Sequence, residues 1–533
     1  MTARTRLRLI LWSAAAAGVL LVGTLQLKLV RLHALWVDEV FSLAVATGHS
    51  VEHAAALARP EEGDFVEGSE ARPARDFAAY SQHATPAAPV GRVARAVFLS
   101  DTNPPGYYLL LHGWTRLWGV SDTDLRSFSV FWSLACIPLI GWLARRCGAW
   151  RAALPAMLLW CAAPAFLYYG SEGRMYSLVW FWLLVGAAAT LKLDRARDHA
   201  GWWAVWVLAS AGGLLTHYFF FFPWCGLTAY LAWRRRRGGL VALLLAGTLV
   251  VGLIAPWYRH LPRSLANWRV TQEWLNWEPS GFSRPGEIAG LATQYLSGAG
   301  RGVWWPHPFA ESVALVAFLL VLGAAALRWR GRLFADRRLL LWGWFAAGCL
   351  GPVVFDVARH TYTVAVARYA ITALPAVCLL GGVALGRLAP RVRLALLACI
   401  VGAWSFSVRD FFVDEDRNDQ NYWRLGWMLD AETTAEDLVL VHSIPTGVIG
   451  VARYTRTSAP MAAWVGQLGT RTVPESIQHL VAGRRRVWFI HVHPVGAPAP
   501  EEAWLREHAR EVGHHALQAI QVRVFEPRSG ERF

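Results

Sequence analysis

The chain of 533 residues alternates long apolar runs with short, arginine-rich junctions. The first run holds nineteen uncharged residues, Leu9 to Leu27, between Arg8 and Lys28. A helix of about 20 residues crosses the hydrocarbon core of a bilayer. The run is long for a signal peptide and no clear small-residue cleavage site comes after it, so the pattern predicts a retained first helix. Ten further spans are predicted at about 126–144, 152–170, 175–191, 202–216, 218–233, 239–258, 312–327, 339–355, 369–386 and 394–411. The thirty-five uncharged residues from His199 to Trp233 suit one long helix or two short ones around His217.

The positions of the cations decide between these. With eleven spans, alternate junctions collect Arg4, Arg6 and Arg8, then the groups at 145–151, 192–197, 234–237, 328–338 and 387–393. Twenty-one cations then lie on one side in six short segments, as the positive-inside rule requires of a cytoplasmic face. A single helix through His217 would put the later groups outside. The N-terminus is therefore predicted to be cytoplasmic and the C-terminus extracytoplasmic.

Composition agrees with this reading. Apolar residues make up 55% and charged residues 17%, against about 25% charged in soluble domains. Disorder and a fully soluble enzyme are excluded. Net charge is +15. The arginines punctuate apolar runs, however, so they read as topology signals and not as a nucleic-acid surface. Many of the 30 tryptophans lie near the ends of runs, where amphipathic rings favour the membrane interface. The seven cysteines lie in or beside apolar runs, with no disulfide framework and no metal-type spacing.

Three polar segments fall on the outer side: 31–125, which includes the Pro- and charge-rich stretch 59–95; 259–311; and 412–533. In the last, 437–442 and 486–491 pattern as strands, and 421–430, 475–482 and 501–512 as helices. That alternation predicts a small α/β domain, without the glycine motifs of nucleotide binding. The membrane domain is 1–411.

The unusual polar residues gather on the outer side. Trp36-Val37-Asp38-Glu39 comes after the first span. Asp101-Thr102-Asn103-Pro104-Pro105-Gly106-Tyr107-Tyr108 precedes a predicted helix at Gly106–Trp118 that is apolar on one side. Glu172, Arg174 and Tyr176 join spans three and four, and His217 and Tyr218 join spans five and six. Arg359, Arg368 and Tyr369 flank the outer end of span ten. Each has a plain structural reading, as a solvated carboxylate, a turn or a helix cap. Together, carboxylates, Arg and His at one membrane face suit an anionic, membrane-borne substrate.

These stretches resemble the bacterial polyprenyl-phosphate-sugar glycosyltransferases of family 39. That group contains the protein O-mannosyltransferases and the lipid A aminoarabinose transferases, within the GT-C superfamily. The resemblance is carried in order by Trp36–Ser42 (WVDEVFS), Asn103–Trp118, Asp124-Leu125-Arg126, Glu172–Tyr176 (EGRMY), Thr216–Phe219 (THYF) and Arg368–Pro375 (RYAITALP). Asn103 stands where members often carry His or Lys before the Pro-Pro pair, and 59–95 matches no common family element. The resemblance implies a GT-C-like fold of about eleven transmembrane helices with extracytoplasmic loops and the small α/β domain. It implies transfer of a sugar from a polyprenyl-monophosphate donor to an acceptor hydroxyl or amine on the outer face of a bacterial inner membrane, with inversion. The acceptor, whether protein, lipid or cell-wall glycan, stays open.

Asp38 matches the catalytic Asp and is the expected general base, with Glu39 positioning it or the acceptor. Arg368 is the first choice to grip the leaving phosphate. Tyr369, Arg174, Glu172, Tyr176, His217, Tyr218, Arg359 and Asn103 are further donor-binding candidates. Trp36, Tyr107 and Tyr108 are expected to stack on the sugar or line the lipid groove. No metal ligand set or other cofactor is read, although a divalent metal is compatible with lipid-phosphate chemistry. Expected partners are the lipid-linked donor, the acceptor and membrane lipids, with no nucleic acid. A lipid-linked glycan polymerase or ligase is the rival enzyme. The early Asp-Glu pair argues against it. A transporter or flippase, whose sites lie near mid-membrane in paired repeats, and a non-catalytic scaffold are the rivals from other classes.

Overall fold

The computed structural model describes residues 3–101, 103–194, 199–235, 237–267, 269–270, 276, 278, 281, 283–297, 308–329, 332–413, 421–494, 498–528 and 532–533. The chain forms two compact units. Unit one contains Met1–Val30, Arg126–Arg259 and Leu275–Val413; unit two contains Arg31–Leu125, His260–Trp274 and Asp414–Phe533.

Unit one is helical, and helical segments lie over the predicted spans. Among the described residues, seven helices are long and apolar enough to cross a membrane, or eight when one bent pair counts as a single span. That pair, Trp150–Ala162 and Pro164–Gly170, meets at 60° and lies over the span predicted at about 152–170, with a break inside it. Proline disfavours helical geometry at the residue before it, and Ala163 is extended, with φ −65° and ψ 123°. Gln26, fully buried in the first helix, serves the break. Its amide approaches Phe166 O at 3.5 Å, and its oxygen accepts from Ser133 Oγ at 2.9 Å. The stretch around His217 forms two helices, Ala200–Leu214 and Phe221–Arg234. The Phe220 ring folds back onto Gly213 and occupies the space a Cβ would need there.

Small residues set a close helix contact in unit one. A Cβ on Gly382 would lie 2.5 Å from Ala156 Cα, and one on Gly386 would lie 2.9 Å from Ala152 Cα. Helix Leu374–Leu385 therefore meets helix Trp150–Ala162 backbone to backbone, as small residues allow between membrane helices.

The arginine-rich junctions are tied to one another. Arg234 and Arg337 approach the two oxygens of Asp194 at 2.7 and 3.6 Å. Arg337 also donates to Arg146 O at 3.4 Å. The guanidinium groups of Arg338 and Arg387 each lie 4.5 Å from the Trp329 ring. Five of the predicted cationic junctions thus share one end of unit one. Arg195, Arg197, Arg236 and Arg330 lie outside the described residues.

Unit two is built on a five-stranded sheet: β1 Leu438–His442, β2 Met461–Trp464, β3 Val487–Val492, β4 Ala509–Leu517 and β5 Ile520–Pro527, in the order β2-β1-β3-β5-β4. β1 runs parallel to β2 and β3, and β5 is antiparallel to β3 and β4. The predicted strands become β1 and β3, and helices Tyr422–Glu432 and Glu475–Val481 stand where expected. The helix expected over 501–512 ends at His508, and β4 starts at Ala509. Most residues from Arg510 to Ala516 on this edge strand keep some exposure, so its sequence reads like an amphipathic helix. Pairing with β5 decides otherwise, reinforced by the Arg523–Glu511 ion pair at 2.8 Å.

The stretch 59–95 finds its place on this sheet. Arg72 and Met461 exchange backbone hydrogen bonds of 2.9 and 2.8 Å, adding an antiparallel bridge at the free edge of β2. Glu67 Oε1 accepts from the Val465 N–H at 2.5 Å, and Arg471 donates to Gly68 O at 2.8 Å. Glu67 is almost wholly buried. Burial pushes its carboxyl up to about 7 against the Val465 N–H and Arg471, and Glu501 adds to the rise.

A carboxyl raised in the folded state binds its proton more tightly there than in the unfolded chain. Its ionisation therefore erodes stability as pH rises from the ordinary 4.5 through about 7. Glu67→Gln keeps an oxygen for Val465 and has no charge to bury. It is expected to raise the unfolding temperature at pH 8, by on the order of 3 kcal/mol of stability. The gain should vanish near pH 4. Thermal scans of the two proteins across that range check this, and a gain independent of pH would refute it.

Candidate active site

In unit two, Asp38 lies in the first turn of helix Val37–Ala46, with Trp36 as the N-cap. The two neighbouring carboxylates part company here. Glu39 is 1% exposed, and its Oε2 accepts from the Trp36 N–H at 3.3 Å, so it serves the start of the helix. Asp38 is partly exposed. A helix start also favours a negative group by its dipole.

The helix is held from both ends. The Leu35 N–H, just before it, donates to Tyr454 Oη at 2.7 Å. That hydroxyl donates in turn to Asp122 Oδ2 at 2.6 Å, while Arg453 pairs with Asp122 Oδ1 at 2.9 Å. At the far end, His112 Nδ1 donates to Ala46 O at 2.8 Å. Helix Pro445–Tyr454 of the sheet region thus braces the segment that delivers Asp38.

Asn103 is tied down locally. Its backbone N–H and side-chain amide donate to Asp101 Oδ1 at 3.0 and 3.1 Å. Tyr108 Oη donates to Asp101 Oδ2. Arg269, nearly buried, donates to Asp101 O at 3.2 Å and Ser264 O at 2.6 Å. Thr102 lies outside the described residues. Tyr107 and Tyr108 are both 0% exposed, and Phe41, one turn after Asp38, packs edge-on to Tyr108 with ring centres 6.5 Å apart. These two tyrosines form core beside the Asp38 helix and present no ring at the surface, unlike their expected role in a groove. Trp36 is partly exposed.

In unit one, most of the other predicted residues meet in one cluster. Glu172 and Arg174 are nearly buried in a tight turn, with the Arg174 N–H 2.7 Å from Glu172 O. Aromatic contacts run from Tyr169 to Tyr176 (4.9 Å), to His217 (6.5 Å), to Phe219 (5.6 Å) and to Tyr369 (5.3 Å). The Arg368 guanidinium lies 5.8 Å from the Tyr369 ring. His217 Nδ1 accepts from the Phe219 N–H at 3.0 Å, which leaves the ring proton on Nε2. Burial, with the charge of Arg174 beside it, pushes the imidazole down to about 3. His217 is therefore a neutral donor at physiological pH and not a second cation.

Tyr218 and Arg359 complete the predicted set in unit one. Tyr218 Oη accepts from Trp257 Nε1 at 3.1 Å. Arg359 is exposed at the end of helix Arg337–Arg359. Sequence reasoning misses Asp356 in that helix, although an acid in the last turn of an apolar helix, with Thr361 and Thr363 close behind it, is a visible anomaly. It misses Arg269 too, a cation of the segment 259–311 predicted to lie outside. Among the described residues, no group of three or more His, Cys, Asp or Glu is placed to hold a metal.

No protein-family model matches the chain, and no curated protein matches it. Solved structures do. The crystal structure of ArnT from Cupriavidus metallidurans in the apo state is 16% identical, covers 91% of this chain and 96% of its own, and superposes with a TM-score of 0.54. The same protein bound to undecaprenyl phosphate is 16% identical, covers 92% and 97%, and gives 0.52. The likeness runs over nearly the whole of both chains. The protein has the GT-C fold, a multi-pass helical membrane domain joined to a small α/β domain, as the resemblance implied.

Proposed function

We propose that the protein is a membrane glycosyltransferase that moves a sugar from a polyprenyl-monophosphate carrier to an acceptor hydroxyl or amine. The observation that carries this reading is the near full-length likeness to ArnT, which has been solved bound to undecaprenyl phosphate. The partition of the Asp-Glu pair supports it, with Glu39 spent on the helix start and Asp38 left partly exposed.

The groups dictate the chemistry. An acceptor hydroxyl is a weak nucleophile until its proton is taken as it attacks. Asp38 accepts that proton. The acceptor oxygen bonds to the anomeric carbon from the face opposite the phosphate, which inverts the configuration. The sugar–phosphate C–O bond breaks through an oxocarbenium-like transition state. The bonding pair leaves on the polyprenyl phosphate, whose growing charge needs fixed donors. Arg368 supplies a forked, permanent cation for it. The neutral Nε2–H of His217 and the hydroxyls of Tyr176 and Tyr369 are the supporting donors, and Trp36 is the surface aromatic suited to the sugar.

Transfer on the outer face of a bacterial inner membrane is part of the proposal. The linked arginine junctions at one end of unit one support it, since such groups mark the cytoplasmic side. The domain division at about residue 411, with the α/β domain outside, belongs to the same reading.

Mass spectrometry of lipids that co-purify with the detergent-extracted protein tests this. A polyprenyl monophosphate sugar enriched on the Asp38→Asn variant over wild type is the expected result. A diphosphate-linked oligosaccharide would replace the reading with a polymerase or ligase. Carriage of an unmodified lipid without covalent product would favour a flippase.

A further inference from the structure

Asp356 is fully buried at the end of an apolar helix and has no part in the chemistry above. A polar group removed from water at such a place costs free energy unless it is hydrogen-bonded. Four short hydrogen bonds offset that cost. Asp356 Oδ1 accepts from Thr361 Oγ1 at 2.6 Å, Thr363 Oγ1 at 2.6 Å and the Thr363 N–H at 2.8 Å. Its Oδ2 accepts from the Val364 N–H at 2.9 Å. The helix stops at His360, in the left-handed region with φ 56°. The chain then wraps around the carboxylate.

Beyond this wrap the chain enters the unusual stretch Ala367–Ala373, a run of seven 3-10 residues that carries Arg368 and Tyr369. Such runs seldom exceed three or four residues, because their hydrogen bonds are poorly aligned. Two buried indoles secure its far end. Trp180 Nε1 donates to Ile371 O at 2.9 Å, and Trp344 Nε1 donates to Thr372 O at 2.7 Å. A Cβ on Gly348 would lie 3.0 Å from the Ala373 nitrogen, so the helix bearing Asp356 and Trp344 also touches the segment directly. The segment is clamped before Arg368 by a carboxylate and after it by two tryptophans.

From this geometry we infer that Asp356 is a positioning residue for a lipid-phosphate site, fixing segment 361–373 so that Arg368 is held ready for the anion. An anion site gains most from donors that need no rearrangement when the ligand arrives. The inference rests on the proposed function and adds to it a residue that touches neither donor nor acceptor.

The test is binding of undecaprenyl monophosphate, and of uncharged undecaprenol, to the full-length protein in detergent. Asp356→Asn keeps one oxygen but turns an NH2 toward the Val364 N–H. Thr363→Val keeps the side chain's shape and removes its hydroxyl. Both variants are expected to bind the phosphate at least tenfold more weakly and undecaprenol as wild type does. Hydrogen exchange over 361–373 should rise in both. Thr363→Ser, which restores the hydroxyl, should behave as wild type. Unchanged phosphate binding alongside raised exchange would overturn the positioning role alone, as would equal losses for phosphate and alcohol. Failure of wild type to bind the phosphate would overturn the proposed function and this inference with it. Should Asp356→Asn not fold, the two Thr363 variants carry the comparison.

Discussion

Asp38→Asn should reduce sugar transfer by about 100- to 10,000-fold, the range a positioned general base contributes, while the protein still folds and still binds its lipid donor. The substitution is nearly isosteric. It keeps an oxygen at the site and removes the ability to accept a proton. The variant weakens the favourable interaction of a carboxylate with the helix dipole, a contribution of about 0.5 kcal/mol. Glu39→Gln is the informative contrast. Glu39 is buried and accepts from the Trp36 N–H, a bond that a glutamine oxygen can keep. Its variant is expected to lose less than tenfold. Transfer assays with donor lipid and acceptor extract compare the two. Similar losses in both variants would remove the distinction between base and helix cap. Substantial turnover by Asp38→Asn would remove Asp38 as the base.

That contrast was only half legible in the sequence. The pair Asp38-Glu39 was visible as two acids after a span, but their division of labour depends on which one faces the start of the helix. The spans themselves were readable, because apolar length and cation position act locally and survive without tertiary context. The pair around His217 was resolved by counting arginines, and the structure makes it two helices. The break at Ala163 was legible from Pro164 but was masked by the apolar run around it.

What escaped depends on distant partners. Glu67 meets Val465 across 398 residues, and Arg453 meets Asp122 across 331. No local pattern announces either pair. The misread helix over 501–512 has the same origin, because β4 exists through its pairing with β5. Tyr107 and Tyr108 looked like ligand-facing aromatics until the Asp38 helix was folded beside them. The stretch 59–95 matched no family element and has a structural role that composition could not convey. It adds an edge to the sheet, and helix Pro445–Tyr454 of that sheet region braces the segment leading into Asp38.

The second large effect belongs to Arg368. Arg368→Ala is expected to weaken binding of undecaprenyl phosphate by about 10- to 100-fold, since a hydrogen bond to a charged group contributes roughly 1.5–3 kcal/mol. Binding of undecaprenol should not change, because the lipid tail makes no use of the guanidinium. Arg368→Lys should recover part of the loss: an ammonium restores the charge but not the forked geometry that matches phosphate. His217 cannot substitute for the missing cation, because burial and Arg174 hold its imidazole neutral at physiological pH. Raising the pH from 6 to 8 should therefore leave phosphate binding by the alanine variant unchanged apart from titration of the phosphate itself. Equal weakening of phosphate and alcohol would assign Arg368 to structure. A strong pH dependence that disappears in an Arg368→Ala, His217→Gln double variant would assign phosphate recognition to the histidine instead.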